Sequence, residues 1–367
     1  PPVSVQSIVT GGYHSCALMT NGTAKCWGVN AEGRIGDGST TNRLQPVAVT
    51  QPQPFKALFA GFLSTCAIGI NDVSYCWGSG NFGNLGNGTT AHKTIPTAVV
   101  AAPPGVRNGG FASLADVTIF KQIAPSPLAQ TTCALSTGSI TYCWGRDPTG
   151  LLTGSESVLY PTLLPVGSTP PLVELNVGEL FGCGRTATNE AWCWGFNAQG
   201  QLGDGTTSLK VAPVKVSGGH AFTMIRSGYG HSCGIRTDKT LWCWGANDEG
   251  QLGDGSTTSR TTPVQVGSAN DYIYVAAGIE STCAIRTGGT TWCWGYNFGG
   301  QLGDGTKISR SSPVAVGGGK LFSQLASGAF HTCALATDGV YCWGGNGGQV
   351  GDGTTTDRLT PTKVVGL

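Results

Sequence analysis

Charged residues are scarce in this sequence, and long apolar runs are absent from it. Asp, Glu, Lys and Arg make up only 11% of the chain, against about 25% in an ordinary globular protein. Long solvent-facing helices need many Lys and Glu side chains, so this composition argues against a helical fold. No apolar stretch approaches the roughly 18 residues of a membrane-spanning helix, so we expect no membrane insertion by this segment. The chain opens in a strand-like segment, Pro1–Val5, and we expect a mature or trimmed product.

Motifs for catalysis or for binding polyanions are also missing. The net charge is +1 with no basic or acidic block, which argues against a nucleic-acid partner. The sequence has no GxSxG, HExxH, Walker loop or dinucleotide-binding turn. His14, His231 and His331 share one repeat position, as structural residues do, while His92 and His220 stand alone in polar loops. We therefore predict that the chain is not an enzyme and needs no cofactor.

Fourteen cysteines stand out against this background. No CxxC pair or Cys/His cluster is present, which excludes zinc sites of the usual spacing. An even number of cysteines in regular pairs is typical of disulfides formed in an oxidising compartment, with free buried cysteines as the alternative. The predicted pairs are Cys16 with Cys26, Cys66 with Cys76, Cys133 with Cys143, Cys183 with Cys193, Cys233 with Cys243, Cys283 with Cys293, and Cys333 with Cys342.

These pairs mark an internal repeat. The first cysteine recurs after 50 residues in five intervals and after 67 in one, and each second cysteine precedes Trp-Gly. Within a unit, short alternating runs are broken by Gly, Asn, Asp or Pro, which indicates strands and turns. Four short strands in about 50 residues make one propeller blade, and seven units close a ring. We predict an all-β, seven-bladed β-propeller with four-stranded antiparallel blades and one disulfide within each blade.

The whole chain, 1–367, is predicted to be a single domain. Its repeat units lie at about 6–50, 51–100, 101–166 with an insertion at 101–130, 167–216, 217–266, 267–316 and 317–367. The first pair flanks the tip Thr20-Asn21-Gly22, so its cysteines face each other across a hairpin with a three-residue loop and a left-handed Gly. The last pair is one residue closer, which indicates a two-residue tip at Thr337-Asp338.

A second pairing repeats with the same period, because the Asp of each Gly-Asp-Gly loop is followed six residues later by a base. The pairs are Asp37 with Arg43, Asp204 with Lys210, Asp254 with Arg260, Asp304 with Arg310, and Asp352 with Arg358. The second unit has Asn87 before Lys93, and the third unit has lost both partners. We expect exposed ion pairs worth about 0–1 kcal/mol each. Calcium binding is the weaker alternative, since one carboxylate per loop falls short of six to eight oxygens.

The combined motif indicates a family. Gly-x-x-His-Ser/Thr-Cys-Ala-Leu, at Gly11–Leu18 and Gly328–Leu335, is followed by Cys-Trp-Gly-x-Asn-x-x-Gly-Gln-Leu-Gly-Asp-Gly and then Pro-x-x-Val. This pattern resembles the regulator-of-chromosome-condensation repeat over essentially the whole chain, and the resemblance also implies a seven-bladed propeller. The nuclear prototype of that family is an exchange factor for a small GTPase that docks on chromatin. The paired cysteines look more like the extracellular propellers of crinkly-type plant receptor kinases, or secreted bacterial members.

Three irregular features give further hypotheses. Asn21 and Asn87 stand in Asn-Gly-Thr sequons, which are glycosylation sites if the protein is secreted by a eukaryote. The insertion carries Pro103, Pro104, Arg107 and Phe111, which we predict to contact a partner, a decorated loop without a role being the alternative. Pro-Val-x-Val-like segments occur at both ends, Pro2–Val5 and Pro361–Val365. One of them is therefore a candidate spare strand for self-assembly or for an adjoining domain.

From these patterns we predict a non-catalytic, extracellular or cell-surface propeller with a protein-binding or structural role, which engages a protein partner through a loop face. The chain is then free-standing or one domain of a larger surface protein or appendage. Two alternatives stay open at this point. One is an exchange-factor-like regulator of a small GTPase, which would carry free thiols. The other is a secreted enzyme inhibitor or a glycan-binding protein.

Overall fold

A computed structural model describes residues 3–100, 119–126, 131–146, 159–165 and 169–367. These residues form 28 β-strands and one short 3-10 turn at Gly317–Gly319. The strands make up seven four-stranded sheets. In this part of the chain, no helix has the length and apolar character needed to cross a membrane.

The strands follow one another in groups of four. The first four blades contain β1 (Val5–Thr10), β2 (His14–Met19), β3 (Ala24–Gly28), β4 (Arg43–Ala48), β5 (Phe55–Ala60), β6 (Ser64–Gly69), β7 (Ser74–Gly78), β8 (Lys93–Ala98), β9 (Phe120–Pro125), β10 (Thr131–Ser136), β11 (Thr141–Arg146), β12 (Leu159–Pro165), β13 (Leu172–Val177), β14 (Phe181–Thr186), β15 (Ala191–Gly195) and β16 (Lys210–Lys215). The last three contain β17 (Phe222–Ser227), β18 (His231–Arg236), β19 (Leu241–Gly245), β20 (Arg260–Gln265), β21 (Tyr272–Ala277), β22 (Ser281–Arg286), β23 (Thr291–Gly295), β24 (Arg310–Ala315), β25 (Gln324–Ser327), β26 (His331–Ala336), β27 (Gly339–Gly344) and β28 (Arg358–Lys363).

Each sheet is one blade of a β-propeller. Its four strands are consecutive in the chain and pair antiparallel in that order, as β1 to β4 do in the first blade. The first strand of each blade is innermost, because it packs against the first strands of the two neighbouring blades. The predicted all-β, seven-bladed fold with four-stranded antiparallel blades is therefore confirmed.

The ring closes without a shared blade, because the four strands of the first blade and of the last blade are each consecutive in the chain. A terminal segment that is spare for self-assembly or for an adjoining domain stays a prediction. β1 pairs with β2 as the inner strand of the first blade, and β28 pairs with β27 as the outer strand of the last. Val3 and Ser4 form no strand. The Pro-Val-x-Val segments of the repeats form the fourth, outer strands, each of which pairs with the third strand of its own blade. In every described blade the third strand already has such a fourth strand beside it. The seam is made instead by β1 packing on β25, where the Ile8 N–H donates to Gln324 Oε1 at 3.1 Å.

The paired cysteines lie directly opposite each other on the second and third strands of every blade. Cys16 faces Cys26 in the register of β2 and β3, and the same pairing recurs in the other six blades. All seven disulfides are formed with Cα–Cα distances of 4.0–4.1 Å, and no cysteine is free. Every cystine is buried. The one-disulfide-per-blade prediction is confirmed.

The hairpin tips between these strands have the predicted lengths. Six tips contain three residues, and the last contains the two residues Thr337-Asp338. Gly22 takes the left-handed conformation at the third tip position, with a φ of 80°. Glycine occupies that position in only one other three-residue tip, at Gly289. Non-glycine residues adopt the same conformation, with φ between 62° and 68°, at Asp72, Ser139, Asn189 and Lys239.

The core lies between the blades and is dominated by the tryptophans of the Cys-Trp-Gly strands. All seven of these side chains are at most 1% exposed. The Trp244 indole N–H donates to the Gln201 carbonyl of the preceding blade at 3.0 Å, and Trp27 makes the same bond to Gln349 across the seam at 2.8 Å. Trp144, Trp294 and Trp343 repeat it. Each of these interfaces therefore combines a large apolar contact with a buried directional hydrogen bond.

Candidate functional site

The ring has two faces built from different parts of the blades. The upper face carries the turns between first and second strands, such as residues 11–13, and the long loops between third and fourth strands, such as residues 29–42. The lower face carries the hairpin tips, such as residues 20–23, and the connections between blades, such as residues 49–54. Loops held on a rigid scaffold are where propellers place their binding sites.

A collar of glycines surrounds the central channel where it opens on the upper face. A Cβ atom on Gly228 would lie 2.3 Å from the Gly278 carbonyl oxygen, and one on Gly328 would lie 2.3 Å from that of Gly11. Gly61 and Gly178 are similarly confined, and Ser126 takes the corresponding place in the third blade. Neighbouring backbones thus approach more closely than a side chain permits. The cavity inside the collar measures about 110 Å³.

Each regular upper-face loop is held together by the asparagine that follows Cys-Trp-Gly. In the fifth blade, Asn247 Nδ2 donates to the carbonyls of Ser256 and Thr258, both at 3.1 Å. The Asn247 Oδ1 atom accepts from the Leu252 N–H at 2.9 Å. Four other loops contain the same arrangement around Asn30, Asn197, Asn297 and Asn346. The loops are therefore positioned by their own internal hydrogen bonds.

The repeated acid–base pairs form as predicted, but their carboxylates are not exposed. The ion-pair distances run from 2.6 Å in Asp37–Arg43 to 3.5 Å in Asp204–Lys210. The five aspartate side chains are only 3–8% exposed, because the loop folds over them. Asp254 accepts hydrogen bonds from the Ser256 backbone and hydroxyl at 2.9 and 2.7 Å. Calcium binding gains no support, since no group of three or more described His, Cys, Asp and Glu side chains is arranged to hold a metal ion.

These carboxylates should make stability depend on pH. Burial by itself would raise the pKa of Asp254, but hydrogen bonds from Ser256 and Arg260 outweigh it, and the pKa lies below its usual value. Asp37, Asp204, Asp304 and Asp352 behave alike. A carboxyl group whose pKa is lower in the folded than in the unfolded state stabilises the fold at every pH above its unfolded-state pKa. This stabilisation is lost as the pH falls through the folded-state pKa. We expect the melting temperature to fall below about pH 4.

Replacing Asp254 with Asn provides the control for this prediction. The variant should be about 1 kcal/mol less stable at neutral pH, because it loses a charge-assisted bond to Arg260. It should also lose less stability than the wild type on acidification, since one titrating group has been removed. Thermal unfolding followed from neutral pH to about pH 2 measures both. Equal acid losses in the two proteins would show that these aspartates are not responsible.

The three repeated histidines have structural surroundings. His14 Nε2 lies 2.7 Å from Thr65 Oγ1 of the next blade, and His331 Nε2 lies 2.8 Å from Ser15 Oγ across the seam. Burial lowers the pKa of His231 to about 4 and that of His331 to about 3, so both rings are neutral at physiological pH. His220 differs from its prediction: it packs on the Trp242 ring with 4.4 Å between centroids rather than standing alone in a polar loop.

The two sequons differ in how well they fit a glycan. Asn21 is exposed at a hairpin tip of the lower face, where its Oδ1 accepts from the Thr23 hydroxyl at 2.7 Å. The Asn21 side chain is therefore open to solvent, whereas the Asn87 Nδ2 atom is buried inside an upper-face loop. A glycan joins the asparagine through that nitrogen, so the geometry favours Asn21 and disfavours Asn87.

Most of the predicted insertion, 101–130, lies outside the described residues. Its described part, 119–126, contains β9, which is the inner strand of the third blade, so the prediction that this part is inserted is wrong. Pro103, Pro104, Arg107 and Phe111, which we predict to contact a partner, all fall within residues 101–118. The described strands on either side of this segment, β8 and β9, end and begin at the lower face. Partner binding by this loop stays a prediction.

Family comparison supports the repeat assignment. A model of the regulator of chromosome condensation (RCC1) repeat matches residues 74–108, 238–285 and 288–335, and a second model of that description matches 5–34, 215–251 and 322–349. Together the matches span more than half of the chain. The chain belongs to the RCC1 repeat family. Its third blade is the least typical RCC1 unit, because residues 120–165 match neither model and lack the repeated acid–base pair.

Solved structures share the RCC1 propeller fold at low sequence identity. Human WBSCR16 is 18% identical with a TM-score of 0.80, and 94% of each chain is covered. Prp20p of Saccharomyces cerevisiae is 20% identical with a TM-score of 0.78, covering 99% of this chain and 87% of its own. The crinkly ectodomain of the Arabidopsis thaliana receptor kinase ACR4 is 19% identical with a TM-score of 0.56, and 99% of both chains is covered. No curated protein sequence matches the chain.

Proposed function

We propose that this RCC1-repeat chain is a non-catalytic, extracellular or cell-surface propeller that binds a protein partner through a loop face. The observation that carries the proposal is the set of seven buried disulfides, one in each blade, with no cysteine left free. Disulfides form and persist in oxidising compartments, whereas the cytosol and nucleus keep thiols reduced. A scaffold with this many covalent links suits a secreted environment.

The rigidity of the loops supports a binding role. The upper-face loops are fixed by the asparagine network, and the hairpin tips of the lower face are anchored by the cystines behind them. A preorganised surface loses little conformational freedom when a partner binds. The repeated histidines are buried and engaged between blades, so they act in packing rather than in chemistry.

The second candidate is a regulator of a small GTPase. It is favoured by the likeness to Prp20p, whose structure was described together with its binding to Gsp1p and histones. At 20% identity that likeness supports the shared fold and not a shared partner. Seven disulfides weigh against this candidate, because such a regulator works in a reducing compartment. An enzyme inhibitor or a glycan-binding protein would also be compatible with secretion, and exposed aromatic rings such as Phe196 and Phe298 are the described feature that fits glycan binding.

One experiment tests the proposal on the native protein isolated from its own source, from inside the cells or from outside them. The native protein should show none of its 14 cysteines as free thiols, and unfolding with reductant should then release all of them. The oxidised protein, immobilised and exposed to extracellular material from the same source, should retain a specific protein partner. A reduced and alkylated sample of the same protein is the matched control, and it should retain none.

Two results would overturn the proposal. If the native protein carries about 14 free thiols, it folds in a reducing compartment and the regulator candidate takes its place. If the oxidised and the alkylated samples retain the same proteins, the captured material does not recognise the folded ring.

A further inference from the structure

Four carboxylates of the upper face have no Lys or Arg partner among the residues that the structure describes. Among the residues that the structure describes, every other Asp and Glu side chain forms an ion pair with Lys or Arg. The four exceptions are Glu179, Asp248, Glu249 and Glu280, which we name the acidic sector. The chain as a whole carries a net charge of +1, so this negative charge is local.

The acidic sector lies on the upper-face turns and loops of the fourth, fifth and sixth blades, which are consecutive in the ring. The Glu179 N–H donates to the Tyr229 carbonyl of the next blade at 2.9 Å. The Tyr229 N–H donates in turn to the carbonyl of Gly278, two residues before Glu280, at 3.3 Å. Burial, a hydrogen bond to Glu179 and the charges of Glu179 and Glu280 raise the pKa of Tyr229 to about 12. Burial and the charges of Glu249 and Asp248 likewise raise the pKa of Glu280. The turns that carry Glu179 and Glu280 are therefore joined through the backbone of Tyr229 between them.

Exposed aromatic rings flank the acidic sector. Phe298 is 67% exposed and lies 5.3 Å from Tyr296, measured between ring centroids. The Tyr296 N–H donates to the Glu280 carbonyl, and the Phe196 N–H donates to the Leu180 carbonyl beside Glu179, both at 2.8 Å. Phe196 is also exposed. Aromatic rings that stay in water beside carboxylates are suited to an organic cation, which gains from the charge and from the ring faces.

The other half of the upper face has a different character. Tyr13 packs between Phe62 and Phe330, with centroid distances of 5.2 and 5.4 Å. Glu32 lies in the long upper-face loop of the first blade, the blade that carries Tyr13, and Arg34 neutralises its charge. The central cavity, lined in part by Val177, Ile279 and Ala329, separates this half from the acidic sector. Unpaired negative charge is thus confined to one side of the channel mouth among the described residues.

We propose that the acidic sector and its aromatic flank bind a basic segment of a protein partner. Lys or Arg side chains of that segment would pair with Glu280, Glu249 and Asp248 and lie against Phe298 and Tyr296. The charge complementarity and the exposed rings argue for this occupant, and the proposed function supplies only the expectation that a protein partner exists. The carboxylates are spread over three blades, and no group of three or more described His, Cys, Asp and Glu side chains is arranged as metal ligands.

The test measures binding of a short oligolysine peptide to the oxidised full chain, with an oligoglutamate peptide as the control probe. A triple variant, Asp248→Asn, Glu249→Gln and Glu280→Gln, should weaken oligolysine binding by roughly tenfold or more. Phe298→Ala should weaken it by about threefold. The binding should also fall steeply as salt is added, because the contacts lie at the surface.

A matched triple variant on the lower face controls for net charge. Asp72→Asn, Glu190→Gln and Asp338→Asn remove the same charge from hairpin tips, where each carboxylate already has a lysine partner. This variant should bind oligolysine as the wild type does. Equal losses in the two triple variants, or no loss in either, would overturn the proposal. The proposal would also be overturned if the wild type binds calcium but not oligolysine, and if the upper-face triple variant loses that calcium binding.

The peptide test and the capture experiment fail independently. Loss of oligolysine binding in the upper-face triple alone supports the acidic sector even if no natural partner is retained from extracellular material. A retained partner that binds the upper-face triple as tightly as the wild type supports the proposed function and overturns this site.

Discussion

Replacing Trp244 with Ala is expected to lower the free energy of unfolding by about 4 kcal/mol. The side chain is fully buried between two blades, where its ring lies 5.7 Å from that of Phe222. Its removal leaves a cavity that the flanking strands cannot fill, because each is held in a disulfide-linked sheet. It also leaves the Gln201 carbonyl without the indole donor. Denaturant unfolding with the disulfides intact measures the loss.

Trp242→Ala is the matched control on the same strand. This side chain is only half-buried and lies over Arg236 and His220 at the surface. Its loss should cost about 1 kcal/mol, since neighbouring side chains and water can take up the space. Similar losses in the two variants would contradict the assignment of the Cys-Trp-Gly tryptophans as the main contacts between blades.

Replacing Gly228 with Ala should destabilise the ring by about 3 kcal/mol. The added methyl group would lie 2.3 Å from the Gly278 carbonyl oxygen and 2.5 Å from His231 Cε1. Backbone on the far side of the contact belongs to the next blade and cannot yield without opening the channel mouth. The free energy of unfolding from denaturant titration is again the measurement.

Gly138→Ala tests the same chemical change where space is available. The nearest atom to the added methyl group is Ser136 Oγ at 3.8 Å, an ordinary contact. This variant should be neutral or slightly more stable, because alanine restricts the unfolded chain. If both alanine variants behave alike, the collar is not a point of close backbone approach.

The blades could be predicted because each blade is specified by motifs and spacings that lie within a short stretch of the sequence. Cys-Trp-Gly marks the third strand, and the ten-residue spacing of Cys16 and Cys26 fixes the register of the hairpin between them. Short-range spacing of this kind determines which residues face each other, so the disulfides and the tip lengths followed directly.

Contacts between blades could not be predicted, because they join residues about 50 positions apart. Gly228 belongs to a repeated turn motif in the sequence, and only the closed ring shows that Gly278 sits against it. Asp254 gave no sign of burial, since the asparagine that closes the loop over it is seven residues away. Glu179 and Glu280 occupy different positions of their repeats, so no pattern joined them to one site before the blades were arranged in a circle.

The absence of strand exchange at the seam bears on how such rings can grow. Because every blade is one unbroken stretch of chain, a duplicated or deleted repeat adds or removes a whole sheet and cuts none. The joint between the first and last blades uses the same type of tryptophan-to-carbonyl bond as the joints elsewhere. Evolution can therefore change the number of blades by duplicating or deleting one gene segment. The seam between the first and last blades needs no special interaction of its own.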